Sequence, residues 1–388
     1  MAKTVNIGMV GYKFMGKAHS NAYRQVARFF KCDNAPVMKA VCGRDRQGVT
    51  AAAKQLGWES IETNWRKLVA RPDIDVIDIS TGNDTHAEIA IAAAQAGKHI
   101  FCEKPLAMNV AQAKAMLAAA QKAGIKHMVN FNYRGCPAIA LAKQMIAEGK
   151  LGQIFHWRGF YLQDWIIDPD FPVVWRLDKK LAGSGSLGDL GAHCIDLARF
   201  LVGEMTELVA DMKTFIKERP KLAATAGGLT AKAKREMGKV TVDDSSTFLV
   251  RFNQGAVGTF EATRFAAGHK NDLSFEINGS KGSLRFFFER MNELEFFDRT
   301  QPGAIQGFTK ILVTDGAVHP YYGAWWPGGH VIGYEHSFIH NIYQFLQSLG
   351  TRKHPKPDFF DGLRAQMVLE AVEKSAKAHA WVKIPASK

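Results

Sequence analysis

Val5-Asn6-Ile7-Gly8-Met9-Val10-Gly11-Tyr12-Lys13-Phe14-Met15-Gly16 is a short apolar run that flows into a glycine-spaced loop, and Lys17 to Phe30 follows with helical periodicity. Strand, glycine loop and helix in that order open a dinucleotide-binding unit. In the G-x-G-x-x-G spacing, Gly11 makes the tight turn and Gly16 lets the helix approach the strand, while the middle position holds Lys13. Backbone N–H groups at the helix start, around Phe14 and Met15, would face a pyrophosphate. The Lys13 side chain either narrows that approach or lends its ammonium to the phosphates.

Working outward, strands and helices alternate through the first third. Val37 to Cys42, Ile74 to Ser80, His99 to Cys102 and His127 to Phe131 read as further strands. Val49 to Leu56, Thr85 to Ala96 and Val110 to Ala123 read as the helices between them. Continuous apolar strands separated by helices imply βαβ units and a doubly wound parallel sheet covered on both faces. Residues 1–131 are therefore expected to form a Rossmann domain.

Beyond about residue 150 the pattern changes. Ile154 to Leu162, Thr247 to Phe252, Ala256 to Thr263, Leu273 to Ile277 and Ser283 to Phe288 are strand-like and joined by Gly and Asn turns. This predicts a large, mostly antiparallel open sheet in an α/β domain over residues 132–388. Helices at Ala138 to Glu148, Asp189 to Val202, Glu335 to Leu349 and Phe360 to His379 are expected on one face.

Composition limits the alternatives. With 388 residues, 47% hydrophobic and 22% charged, the chain suits two folded domains and excludes a disordered chain or a collagen. No apolar run reaches the roughly 20 residues of a membrane helix, and no apolar leader precedes the first strand, so a cytoplasmic location without membrane association is expected. The five cysteines are scattered without a CxxC pair, predicting reduced, buried thiols and no metal site. Net charge is +13, and the stretch Lys213 to Lys239 holds eight basic against two acidic residues. That stretch, 213–239, reads as a basic excursion loop. No aromatic interleaving accompanies it, so nucleic acid is not an expected partner.

Three stretches carry chemistry. The second strand ends in Gly43-Arg44-Asp45, with Gly43 where an acidic residue would bind the ribose hydroxyl of NAD. Arg44 leans slightly toward the 2′-phosphate of NADP, while Asp45 could still reach a ribose, so the choice between NAD and NADP stays open. The fourth strand ends in Glu103-Lys104-Pro105, which puts a lysine at the carboxyl edge of the sheet, where its ammonium could polarise a substrate oxygen. Asp189 and His193 are four residues apart on one predicted helical face, beside the apolar stripe Leu190, Cys194, Leu197 and Leu201. A histidine with a carboxylate one turn away suits proton transfer. The same residues could equally be a helix cap and a core histidine.

Taken together, the chain resembles the glucose–fructose oxidoreductase, inositol dehydrogenase and MocA family. The resemblance rests on Ile7 to Gly11 with Phe14-Met15-Gly16-Lys17-Ala18-His19, on Ser80-Thr81-Gly82-Asn83 with His86, and on Glu103-Lys104-Pro105. Asn132-Tyr133-Arg134 and Asp189 with His193 complete it. Tyr161 to Trp165, His319-Pro320-Tyr321 and Trp326-Pro327 are similar to the levoglucosan dehydrogenase-like branch of sugar dehydrogenases. Gly82 departs from the proline often found between Thr81 and Asn83. The resemblance implies a hydride transfer between a secondary hydroxyl of a sugar, anhydrosugar or cyclitol and a nicotinamide. It implies Lys104, Asp189 and His193 as catalytic residues. Ser80, Thr81, Asn83, His86 and Glu103 would lie along the cofactor. Tyr133, Gln163, Trp165, Arg176 and Arg264 would join Lys104, Asp189 and His193 in holding the sugar. It also implies a homo-oligomer, a dimer or tetramer, through the second sheet. The rival expectation is a non-catalytic sensor of dinucleotide and sugar on the same scaffold, against which Lys104 and His193 argue.

Overall fold

The structure, a computed structural model, describes residues 3–222, 233–317, 319 and 321–386. The first elements are β1 (Lys3–Val10), α1 (Phe14–Phe29), β2 (Asn34–Cys42), α2 (Arg46–Leu56), β3 (Ser60–Glu62) and α3 (Trp65–Ala70). They continue with β4 (Val76–Ile79), α4 (His86–Gln95), β5 (His99–Cys102), α5 (Val110–Ala123) and β6 (His127–Val129). Then come α6 (Pro137–Ala147), β7 (Ile154–Leu162), α7 (Lys179–Ala182), α8 (Ala192–Leu201), β8 (Met205–Lys213), β9 (Glu218–Leu222) and β10 (Ala233–Lys239). The last are β11 (Ser245–Phe252), β12 (Val257–Thr263), β13 (Asp272–Gly279), β14 (Gly282–Phe287), β15 (Glu293–Asp298), β16 (Phe308–Leu312), α9 (Tyr334–Ser348), α10 (Phe359–Ala378) and β17 (Val382–Lys383). No helix among the described residues is long and apolar enough to cross a membrane.

Two units result. The first takes the residues up to Gly135 together with Tyr334–Gln366. Its six strands lie in the order β3-β2-β1-β4-β5-β6, and every pairing is parallel. Strand order reverses beside β1, the switch point at which α/β sheets bind ligands. β4 is buried along its whole length, as a doubly covered strand must be. The sequence pattern missed β3 and α3, since three half-buried residues and a six-residue helix carry little periodicity. Helix α1 begins at Phe14 rather than Lys17.

The helix expected at 335–349 on the second sheet belongs instead to the first unit. α9 buries Phe338, Ile339, Ile342, Phe345 and Leu346. Phe345 meets Phe101 of β5 with ring centroids 5.4 Å apart, Tyr343 meets Phe30 at 4.5 Å, and the Leu346 carbonyl accepts from Asn34 at 2.8 Å. Apolar periodicity shows that a helix has a core face but not which core receives it.

The second unit is Cys136–Gly333 with the residues from Met367 on. Its nine strands run β16-β15-β14-β13-β7-β12-β11-β8-β17. All pairs are antiparallel except β7 with β12. Burial alternates along β11 and β12, giving one apolar face and one that carries exposed Leu249 and Val257. On the apolar face Phe248 stacks on Phe260 at 4.6 Å and Trp157 on Phe275 at 5.1 Å. The stretch 213–239 is more ordered than the expected loop. Within it β9 and β10 form an antiparallel ribbon pairing Glu218 with Lys239 and Arg219 with Gly238, while residues 223–232 lie outside the described ones. All five cysteines are free, four of them buried.

Truncating Phe260 removes the centre of this aromatic stack. Phe260→Ala is expected to cost about 3–5 kcal/mol of unfolding free energy, read from the midpoint of urea denaturation.

Candidate active site

Gly11 leaves β1 with φ +103°, a conformation that a side chain resists. A Cβ there would stand 2.5 Å from the Ser80 carbonyl oxygen, and one on Gly16 would stand 2.3 Å from the Gly11 carbonyl oxygen. Close packing of loop, strand and helix thus depends on both glycines. Lys13 precedes α1 and gives it no side-chain cap, so the first-turn N–H groups stay open to an anion. Lys13 and Phe14 are exposed and Met15 half-buried at this helix start. The residues present therefore fit a dinucleotide.

At the end of β2 the structure explains Gly43. A Cβ on it would lie 2.2 Å from the Tyr12 ring. Tyr12 fills the place of an acidic side chain and brings its hydroxyl to 3.5 Å from Asp45 Oδ2. Burial, and then the Asp45 charge, raise the Tyr12 pKa above its usual value. Arg44 and Asp45 are both exposed there. After β4, Thr81 accepts a hydrogen bond from Thr85 at 2.6 Å, and Asn83 opens a short helical turn. His86 is fully buried, with Nδ1 3.0 Å from the Pro105 carbonyl oxygen and Nε2 3.3 Å from that of Thr81. Burial lowers its pKa. The His86 ring thus lies between the Thr81 loop and the loop bearing Lys104, with its shorter contact to Pro105.

Behind these loops lies an ionic cluster that the sequence pattern did not reveal. His19 Nδ1 lies 2.9 Å from Asp78, and Nε2 lies 2.8 Å from Glu103 Oε1. Tyr23 donates to Asp78 at 2.9 Å, Ser80 donates to it at 2.8 Å, and Asn130 donates to Glu103 at 2.6 Å. Burial pushes the imidazole pKa down, but the two carboxylates outweigh it and raise it to about 10. Burial likewise pushes the Glu103 carboxyl up, yet His19, Lys104 and Asn130 hold it below the usual range. Glu103 is almost fully buried, and its second oxygen accepts the Lys104 backbone N–H at 3.1 Å. It stands behind Lys104 and fixes that residue's backbone. The available signal was Asp78, an acid inside an apolar strand.

In the second unit, Asp189 lies in a single π-helical turn, Leu187–Gly191, that leads into α8, and His193 lies in the first turn of α8. Asp243 holds the start of this segment. Its carboxylate accepts the N–H groups of Gly185 and Leu187 and the Ser186 hydroxyl, each at 2.7 Å. The capping role open to Asp189 on the sequence thus falls to Asp243. Asp189 instead accepts from Arg264 Nη2 at 2.8 Å and lies 3.9 Å from Arg176 Nε. Arg264 is 1% exposed, whereas Asp189 keeps 28% of its side chain open. Burial, partly offset by Asp189, lowers the Arg176 pKa.

Around this pair the sugar candidates gather. The Arg264 guanidinium lies 5.4 Å from the Trp165 ring. Trp165 donates to Gln163 at 2.9 Å, Gln163 donates to Asn271 at 2.9 Å, and Tyr161 donates to the same Asn271 oxygen at 2.6 Å. The Tyr161 ring also lies 5.9 Å from the His193 ring. One cluster therefore brings together Gln163, Trp165, Arg176, Asp189, His193 and Arg264, with Asn271 as an addition. Lys104, half-buried, and Tyr133, buried, belong to the first unit. Among the described residues no group of three His, Cys, Asp or Glu could hold a metal.

An uncapped helix after a glycine turn at the switch point of a parallel sheet is the arrangement of a dinucleotide-binding domain. Residues 5–131 match the oxidoreductase family with an NAD-binding Rossmann fold, and residues 139–285 match the GFO/IDH/MocA C-terminal domain. The chain belongs to the Gfo/Idh/MocA oxidoreductase family. Levoglucosan dehydrogenase of Pseudarthrobacter phenanthrenivorans is 42% identical over 99% of both chains. Myo-inositol 2-dehydrogenase of Thermotoga maritima is 25% identical over 98% of both. Among solved structures, an oxidoreductase domain protein from Kribbella flavida is 52% identical with TM-score 0.95 over the full length of both chains. A levoglucosan dehydrogenase in complex with NADH and levoglucosan is 42% identical with TM-score 0.93, covering 99% of this chain and 100% of that one.

Two outcomes test this geometry. Gly11→Ala is expected to abolish dinucleotide binding, followed by the fluorescence of the reduced nicotinamide. His19→Gln leaves two buried carboxylates without their cation and should cost about 3–5 kcal/mol near neutral pH. Because the folded pKa of His19 is about 10 against an ordinary 6.5, its contribution is complete below about pH 6.5 and fades as pH rises through about 10. Urea titrations of both proteins across that range should therefore converge at the alkaline end.

Proposed function

We propose that this chain is an NAD-dependent dehydrogenase that acts on a secondary hydroxyl of a sugar, anhydrosugar or cyclitol. The observation that carries the reading is Asp189. It is clamped by the buried Arg264, lies one turn before His193, and sits beside a cluster of hydrogen-bonding and aromatic side chains. Polyols present both C–H faces and hydroxyls, which such a mixed cluster can recognise. Relatives named for levoglucosan and for myo-inositol support this substrate class.

A dinucleotide held at the Gly11–Gly16 turn would supply the hydride acceptor. His193 takes the proton of the hydroxyl whose carbon gives up the hydride. The Lys104 ammonium, at the carboxyl edge of the first sheet, stabilises negative charge developing on a substrate oxygen. Asp189, oriented by Arg264, binds a neighbouring hydroxyl or fixes the histidine. Alcohol and oxidised dinucleotide thus become ketone, reduced dinucleotide and one proton. Asp45 supports NAD over NADP, because a carboxylate at the end of β2 accepts a ribose hydroxyl and repels a 2′-phosphate. The face of the second sheet bearing Leu249, Val257, Phe308 and Leu312 is a natural seat for a second copy of the chain.

Reduction of NAD+ with a panel of levoglucosan, inositols and other polyols, followed by absorbance, is the direct test. Turnover is expected with at least one; tight NAD+ binding without turnover on any would favour a sensor. Lys104→Ala is expected to lower kcat by more than about 100-fold, and His193→Asn by about 10²–10⁴-fold. Asp45→Ala should narrow the ratio of kcat/KM between NAD+ and NADP+.

A further inference from the structure

Arg219 lies in β9, in the middle of the basic stretch, yet its side chain is 0% exposed while Lys213, Lys217 and Lys239 face solvent. Its guanidinium reaches three carbonyl oxygens of one short turn. Nη2 donates to Ile166 at 2.5 Å, and Nη1 donates to Asp168 at 2.8 Å and Phe171 at 3.3 Å. Beyond the turn, the Val173 N–H donates to the Pro220 carbonyl at 2.8 Å, and Val173 bridges to Lys221. The other end of the ribbon is fastened as well. Val240 N–H donates to the Lys217 carbonyl at 2.8 Å, and Asp244 accepts the N–H groups of Phe215 and Ile216 at 2.7 and 3.2 Å.

The turn so gripped begins beside Trp165. Ile166, Val174, Leu177, Val240 and Val242 form a small core on which Trp165, Phe171 and Phe265 pack. Phe171 meets the Trp165 ring edge-on at 5.2 Å. The rigid planar fork of arginine can serve several carbonyls at once, whereas an ammonium on a flexible stem does not reproduce that fan.

We propose that the β9–β10 ribbon is a specificity-determining element and that Arg219 is its positioning residue, holding the 166–171 turn so that Trp165 and Gln163 present a fixed surface to the sugar. This rests on the reading of Trp165 as a substrate contact. Arg219 is fully buried and spends its guanidinium on backbone carbonyls, so its effect falls on sugar recognition through the turn it holds.

The test compares Arg219→Met, Arg219→Lys and Trp165→Ala in the full chain, with levoglucosan as substrate and NAD+ binding measured separately. Both Arg219 variants are expected to raise KM for levoglucosan, Met by about tenfold or more and Lys by less, with kcat within a few-fold and the Kd for NAD+ unchanged. Amide hydrogen exchange in Arg219→Lys should quicken across 166–173 and stay unchanged along β7, which keeps the proposal testable should the Met variant fail to fold. An unchanged KM and unchanged exchange in Arg219→Lys would overturn the proposal, and so would a parallel loss of kcat, NAD+ affinity and thermal stability. If Trp165→Ala raises KM while Arg219→Met does not, the positioning claim alone fails. If Trp165→Ala leaves KM unchanged, the substrate reading of Trp165 fails first, and the proposal with it.

Discussion

A buried imidazolium between two carboxylates holds the carboxyl edge of the first sheet together. Asp78 belongs to β4, Glu103 directly follows β5, and His19 comes from α1, so the cluster links the strand tips and helix that shape the dinucleotide site. Two carboxylates this close would repel one another without the cation, and their burial would favour protonation. With His19 charged, the Glu103 carboxyl stays below its usual range and remains an acceptor for the Lys104 backbone. The Lys104 peptide is therefore held from behind by a charge network. Such a network is poor evidence for net stability, but it is specific about geometry.

The second unit uses the same device differently. Arg264 is buried and Asp189 is partly open, so the direction of the carboxylate is set from within. The π-helical turn before α8 gives Asp189 a position that an ordinary α-helix would not, and Asp243 relieves it of capping duty. In the second unit, then, a deeply buried charge sets the direction of a more exposed one.

Much of this was legible along the chain. The β1 stretch with Gly11 and Gly16, the Glu103-Lys104-Pro105 motif and the Asp189–His193 pair are local patterns whose chemistry depends on spacing, and spacing survives in one dimension. Alternating apolar runs likewise announced a parallel sheet first and an antiparallel one later. Less legible were the elements with weak periodicity, such as β3, and the destination of α9, because an amphipathic helix reports only that it needs a core. The basic stretch around Arg219 read as a solvated loop, since charge in sequence says nothing of whether its side chains point outward or fold back.

The order of the amino acids settled the fold class and the glycine-turn cradle that opens the first unit, because each rests on neighbours within a few residues. Tertiary structure alone assigned His19 to Asp78 and Glu103, Asp189 to Arg264, and Arg219 to the Ile166 turn, partners separated by tens of residues. The reason is dielectric and steric. A charge can be buried only where a partner from elsewhere in the chain arrives at hydrogen-bond distance, and only the packed fold brings the two together.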